Sequence, residues 1–256
     1  MDGKRVILKF GSGILTRIDR AEMDQVQLAR LVEGIAELKS RGHAVVVMSS
    51  GAVSSGLKPL GFKQRPGDII TLQACAAVGQ THLMHGYESL LRGYGLHVAQ
   101  LLLTHEDLEN KDRAERVKAT LERLLAFNNS VPVINENDSV AVEELRYGDN
   151  DKLSARVALL WRADLLILLT SVPGLMQVSD GGTAELLPLV KDVDGVLHLA
   201  QEERGPHSVG GMLSKLRAVR EAVRGGIECV IACGRQPEQL VDLVEGRGVG
   251  TRFPAS

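Results

Sequence analysis

Residues 131–155 read VPVINENDSVAVEELRYGDNDKLSA, a β-branched run joined to a helical one through two polar knots. Val131, Val133 and Ile134, set off by the turn-former Ser130, predict a short buried strand. The strand runs out into Asn135, Glu136, Asn137 and Asp138. In an open α/β sheet the carboxyl ends of the strands are where ligands sit. The second knot, Gly148-Asp149-Asn150-Asp151, precedes Leu153, Val157, Leu160 and Trp161, which recur at helical spacing. Asp149 or Asn150 can cap that helix, turning its positive end toward the knot. Either knot alone reads equally well as ordinary strand-end and cap residues. The two together, bracketing one insert, read as a clamp for a small polar, partly cationic ligand. The insert itself, residues 139–147 (SVAVEELRY), has the alternation of a short hairpin but few core anchors, so it is expected to act as a lid over that ligand.

Working outward, residues 5–10 (RVILKF) predict a strand that enters Gly11-Ser12-Gly13. Glycines after a strand let backbone N–H groups approach a phosphate, although the pattern is neither GxGxxG nor a P-loop. Lys9 is out of place in an apolar strand; it reads either as a ligand-facing ammonium at the strand's carboxyl end or as a snorkelling edge lysine. Leu28, Leu31, Val32, Ile35 and Leu38 predict a helix over 24–41 that stops at Gly42, and residues 44–48 predict the next strand. It ends in a small-residue loop, Ser49 to Gly56. Strand, helix, strand in this order indicates a right-handed βαβ unit and a parallel sheet, with both small-residue loops on one edge.

The remaining chain continues the alternation: a helix over 69–92, a strand over 96–103, a charged helix over 107–126, and a strand over 164–169 that ends at Thr170-Ser171. His82 and His85 sit three apart on the first of these helices; without a third ligand or an HExxH pattern they read as surface residues rather than a metal pair. Residues 173–195 read as irregular. Val209-Gly210-Gly211-Met212 then opens a helix carrying Lys215 in its first turns, a combination of free N–H groups, helix dipole and ammonium suited to an anion. A strand over 227–232, a short helix over 237–244 and a tail strand over 248–253 complete the pattern. The expected fold is α/β, an open and mainly parallel β-sheet sandwiched between helices, as one domain over residues 1–256.

Composition excludes several classes. The chain is 256 residues long, 44% hydrophobic and 24% charged, with a formal net charge of -2. That is ordinary globular composition, and near-neutral charge with four Phe and three Tyr gives little to hold nucleic acid. No apolar run is long enough to span a bilayer, and residues 1–9 hold no secretory hydrophobic region. Cys75, Cys229 and Cys233 are odd in number and form no CxxC pair, which predicts a reduced, cytoplasmic setting.

With these residues placed, the chain resembles the glutamate 5-kinases of the amino acid kinase family. The matching pieces run in family order: Lys9-Phe10-Gly11-Ser12, Ser49-Ser50-Gly51-Ala52-Val53, residues 101–104, VPVINEND at 131–138, GDNDKLSA at 148–155, Leu168-Leu169-Thr170, and Gly210-Gly211-Met212 with Lys215. The resemblance implies an ATP-dependent phosphorylation of the γ-carboxylate of L-glutamate, with Mg²⁺ held mainly by the nucleotide phosphates and no protein metal ligand. It implies Lys9 and Lys215 flanking the transferring phosphoryl group, with Asp151 orienting them. It places Ser50, Gly51, Ala52, Asn135, Asp138, Asp149 and Asn150 on the amino acid. Gly11, Ser12, Thr170, Ser171, Val209, Gly210, Gly211 and Met212, with the two lysines, fall to the nucleotide. It further implies a cytoplasmic homo-oligomer inhibited by proline. Two positions depart from the family pattern within its nucleotide loops: Ser171 stands where Asp is common, and Val209 where GTGGM has Thr. No C-terminal PUA domain, which many members carry, is expected here. An acetylglutamate or aspartate kinase would share the lysines but not INEND and GDND, and a non-catalytic sensor on the same scaffold is the alternative from another class.

Overall fold

The structure, a computed structural model, describes residues 3–17, 22–141, 150–178, 182–200 and 211–256. Strands β1 (Arg5–Phe10), β2 (Ala44–Met48), β3 (His97–Leu103), β4 (Ser130–Glu136), β5 (Leu165–Thr170), β6 (Glu228–Cys233) and β7 (Gly250–Phe253) form one seven-stranded sheet in the order β7-β6-β5-β1-β2-β4-β3. Every pairing is parallel except that of β6 with the edge strand β7. β1 is the middle strand, and Lys9 lies level with Met48 on β2 and Leu168 on β5. It is therefore no edge lysine: it is 4% exposed.

Because side chains alternate along a strand, β1 supplies two cores at once. Val6, Leu8 and Phe10 pack with the helix α2 (Gln25–Ser40), the helix α4 (Ile69–Leu91) and the short α9 (Leu240–Glu245). Ile7 packs on the opposite face with Trp161 of α7 (Asn150–Trp161) and with Leu216 and Val219 of α8 (Met212–Arg224). Lys9 shares the face of Ile7, so its side chain runs toward α7 and α8. β4 alternates likewise: Val131 and Val133 belong to the α4 side and Ile134 to the other, which sends Asn135 toward α4.

Three expectations need correction. The small-residue loop after β2 contains a helix, α3 (Ala52–Leu57). Its Gly56, and Gly79 of α4, sit where the two backbones touch: a Cβ on Gly56 would lie 1.9 Å from the Cys75 carbonyl oxygen, and one on Gly79 would lie 1.8 Å from that of Ala52. Small residues there mark a close crossing, not a loop. The charged helix expected over 107–126 is two helices, α5 (His105–Glu109) and α6 (Lys111–Leu125). Asn110 has extended backbone between them and caps the second by accepting from the Arg113 N–H. Thr104 and Asp107 form a reciprocal capping box that starts the first. Finally, the region read as irregular holds a small antiparallel pairing of Met176–Val178 with Ala184–Leu186. Of the insert over 139–147, only residues 139–141 are among those described, so the lid expectation lies almost wholly outside them.

Candidate functional site

The carboxyl ends of β1, β2, β4 and β5 bring Lys9, Ser49-Ser50-Gly51, Asn135 to Asp138 and Thr170 to one edge, where Asn150 and Asp151 meet them. Asp151, in the first turn of α7, is fully buried, and its Oδ1 lies 2.6 Å from Lys9 Nζ. Its Oδ2 accepts from Lys215 Nζ at 3.0 Å. Lys215 stands in the first turns of α8, which begins after Gly211, and is 8% exposed. Burial by itself pushes the Asp151 carboxyl up, but the two adjacent ammonium groups outweigh it and hold the group below the usual carboxylate range. A buried triad of this kind is weak as a source of stability, since desolvation offsets most of the attraction. A carboxylate bound between two ammonium groups does leave one net positive charge held at the carboxyl end of β1. Arrangements of this sort mark functional sites more often than structural ones.

Beside the triad lies an amide cluster. Asn150 stands at the start of α7, and its Nδ2 faces three acceptors: the Ser49 carbonyl oxygen at 3.2 Å, Ser50 Oγ at 3.1 Å and Asn135 Oδ1 at 3.0 Å. Ser49 and Ser50 are positioned by the end of β2, with the Ser49 N–H donating to the Ile134 carbonyl at 2.8 Å. Gly51 then turns the chain into α3 with φ +96°, where a side chain would be strained and would crowd Thr16. Asn135 donates to Gln80 of α4 at 3.0 Å. Ser49 Oγ and the Tyr87 hydroxyl are 3.2 Å apart; Gln80 and Tyr87, seven residues apart, share one face of α4. Burial raises the Tyr87 pKa, against a smaller lowering by Ser49, so this hydroxyl stays protonated.

A cavity of ≈ 220 Å³ opens next to this cluster, lined among others by Ala52, Gln80, Gln100, Glu136 and Asp138. Two carboxylates at its wall suit a cationic group, and Ala52, Ala76 and Ala77 leave it room. The structure thus brings together Lys9, Asp151 and Lys215, and, beside them, Ser50, Gly51, Ala52, Asn135, Asp138 and Asn150. Gly11 and Ser12 follow β1, and the Gly11 N–H donates to the Leu169 carbonyl at 3.3 Å; Thr170 ends β5 and Ser171 follows it, exposed. Gly211 and Met212 open α8, while Asp149, Val209 and Gly210 lie outside the described residues. Among the described residues no group of His, Cys, Asp and Glu could hold a metal ion, and His82 and His85 are exposed on α4. Sequence reasoning passed over Gln80 and Tyr87, although a Gln on the apolar face of a long helix is a signal it could have used. A larger cavity of ≈ 920 Å³ lies between α2 and residues 237–241, and it has no part in the constellation around Asp151.

Comparison with known proteins adds to this geometry. The amino acid kinase family matches residues 4–233. The chain is 44% identical over 252 residues to a glutamate 5-kinase of Symbiobacterium thermophilum, covering 98% of this chain and 95% of that protein. It is 44% identical over 257 residues to a glutamate 5-kinase of Thermus thermophilus, covering 100% of this chain and 68% of the relative. Among solved structures, a carbamate kinase from Giardia lamblia bound to AMP-PNP superposes with a TM-score of 0.66 at 19% identity, over 99% of both chains. A UMP kinase from Ureaplasma parvum does so with a TM-score of 0.64 at 16% identity, over 99% of this chain and 100% of that one. These last two share the fold.

Proposed function

The chain belongs to the amino acid kinase family, and from that premise we propose that it transfers the γ-phosphoryl group of ATP to the γ-carboxylate of L-glutamate, giving L-glutamyl 5-phosphate and ADP, the first step of proline biosynthesis. The observation that carries the reading is the buried Lys9–Asp151–Lys215 triad next to the Asn135–Asn150–Ser50 cluster. The relatives named above are called glutamate 5-kinases, and Asn135 of the INEND run and Asn150 and Asp151 of the GDND run, bonded to one another or to the lysines, support the reading.

The chemistry needs little from the protein besides charge and position. A glutamate γ-carboxylate is already ionised at neutral pH, so no general base is required. One of its oxygens bonds to the γ-phosphorus, the bond from that phosphorus to the β,γ-bridging oxygen breaks, and ADP leaves with the electron pair; no proton moves. The barrier is repulsion between two anions and charge spreading over the transferring oxygens. Lys9 and Lys215 supply preorganised positive charge at that point, and Asp151 keeps the two ammonium heads converged. Asp138 receives the α-ammonium. The Asn150 N–H groups are shared among three acceptors, so a substrate carboxylate, a stronger acceptor for being charged, can take over one of them. On the nucleotide, the proposal gives Gly11, Ser12, Thr170, Ser171, Gly211 and Met212 the phosphate and base contacts.

Mg²⁺ fits this arrangement as a companion of the nucleotide rather than of the protein. The carboxylate at the reaction centre is committed to two lysines, so the ion would be held by ATP phosphates and water, its usual mode in such enzymes. No described helix is long and apolar enough to cross a membrane. A cytoplasmic setting is part of the proposal, supported by the three free cysteines. So is self-association, supported by Leu60, Phe62 and Ile70, which leave apolar side chains exposed on the approach to α4 and in its first turn. Feedback inhibition by proline belongs to the same reading. The test is ATP consumption with L-glutamate, N-acetylglutamate and aspartate, using hydroxylamine to trap an acyl phosphate. Turnover with glutamate alone is expected; preference for another acceptor, or none, overturns the assignment.

A further inference from the structure

Four side-chain amides form a line across the clamp with one uniform polarity. Asn150 Nδ2 donates to Asn135 Oδ1 at 3.0 Å, Asn135 Nδ2 to Gln80 Oε1 at 3.0 Å, and Gln80 Nε2 to Gln100 Oε1 at 2.9 Å. The first three are buried, whereas Gln100 is exposed on the edge strand β3. An amide carries two donors on one side and an acceptor on the other. Within a line of amides, the orientation of each is therefore coupled to that of its neighbours.

We propose that Gln80 and Gln100 are positioning residues for the acceptor clamp. The oxygen offered by Gln100 sets which way Gln80 faces; Gln80, together with the Glu136 N–H that donates to Asn135 Oδ1 at 3.0 Å, holds Asn135; and Asn135, together with the Ser49 carbonyl oxygen, holds Asn150. The inference rests on the reading of Asn135 and Asn150 as the glutamate clamp. If position 100 offered a donor instead, Gln80 would turn over and present N–H groups to Asn135. Asn135 would then either stay and lose its acceptor at Gln80, or turn and set its N–H groups against those of Asn150 and against the Glu136 N–H. In the turned arrangement Asn150 loses its bond to Asn135 and is left with Ser49 and Ser50 alone. A change at an exposed edge residue is thereby felt at the residue before Asp151, while the nucleotide loops beyond β1 are untouched.

The test uses Gln100→Lys, which turns an acceptor into a donor at an exposed position that should not disturb folding, together with Gln80→Met and the double variant. Each single change is expected to raise the KM for glutamate about tenfold, the effect of leaving one buried hydrogen bond unmade, with the KM for ATP unchanged. Since both act through Asn135, the double variant should be no worse than Gln80→Met alone. Gln80→Glu keeps an acceptor for Asn135 and should stay within about threefold of the parent. Additive losses in the double variant would mean that each residue acts on the ligand directly, and an unchanged glutamate KM in Gln100→Lys would end the proposal. Side-chain amide signals of Asn135 and Asn150 in the ¹⁵N-labelled apo protein give a readout without substrate. They should shift in Gln100→Lys, and unshifted signals overturn the relay even if glutamate proves to be the wrong acceptor. The parent's activity on glutamate tests the clamp reading separately.

Discussion

Replacing Asp151 by Asn keeps the shape of the side chain and removes the charge that two buried ammonium groups share. In the parent, those groups lie 2.6 Å and 3.0 Å from the carboxylate oxygens, at 4% and 8% exposure. In the variant they face each other across a neutral amide that can accept through only one oxygen. Breaking a buried ion pair by removing one partner costs about 3–5 kcal/mol. For a chain of this size each kcal/mol moves Tm by about 2–4 °C, so a fall of about 6–20 °C is expected. Converged lysines are also the proposed catalytic charge, and kcat should drop by about two to three orders of magnitude. Thermal melting followed by circular dichroism gives the first number and the hydroxylamine assay the second. ATP should recover part of the lost Tm, because its phosphates supply the negative charge that the substitution took away. Should Tm stay within about 2 °C and kcat within about threefold, Asp151 does not hold the lysines together. A large fall in Tm with kcat retained would leave it a structural residue only.

The acid limb of stability should report the same group: Asp151 is held below its ordinary value of 3.8, so its contribution is fully present above about pH 4 and is lost as pH falls through the lower folded-state value. The Tm gap between the parent and Asp151→Asn should accordingly narrow below pH 4, and a constant gap down to pH 2 would argue against the ionised triad. Lys9→Ala and Lys215→Ala should each lower kcat by about two to three orders of magnitude in a folded protein; near-normal turnover in either rejects its assignment. Asp138→Ala should raise the KM for glutamate far more than that for ATP, and the opposite pattern would move Asp138 to the nucleotide. Gly79→Ala would place a Cβ 1.8 Å from the Ala52 carbonyl oxygen, so α3 must shift, with loss of soluble protein or of several degrees of Tm; melting unchanged from the parent would contradict the close crossing.

Much of this arrangement was legible before any coordinates. Strands such as 5–10 and 44–48 announce themselves because burial on both faces demands continuous apolar runs, and the polar residues at 135–138 stand out against them. Lys9 could be flagged as odd but not placed, since only the position of β1 between β2 and β5 removes the edge-lysine reading. The Ser49–Gly56 stretch looked like a loop because its small residues serve a backbone crossing with α4, a tertiary demand that overrides helix propensity. Asn110 was passed over as one polar residue in a charged helix, when its local capping geometry splits that helix in two. Gln80 and Gln100 stayed invisible for a different reason. They act through partners 55 and 20 residues away, and no local pattern encodes such pairings.

The position of β1 at the centre of the sheet divides the labour of the chain. On one flank, Ser50 follows β2 and Asn135 and Asp138 lie at the end of β4; on the other, Thr170 ends β5 and α8 leads into β6. Lys9 and Asp151 stand on the seam, and Lys215 reaches it from the second flank. On the proposed assignment such a layout is modular: the flank that would select the acceptor can be rewritten while the flank that would present the phosphoryl donor is kept. Grafting new residues at positions 50, 135, 138 and 150 is therefore the natural route to a kinase for a different carboxylate, with the seam left as it is.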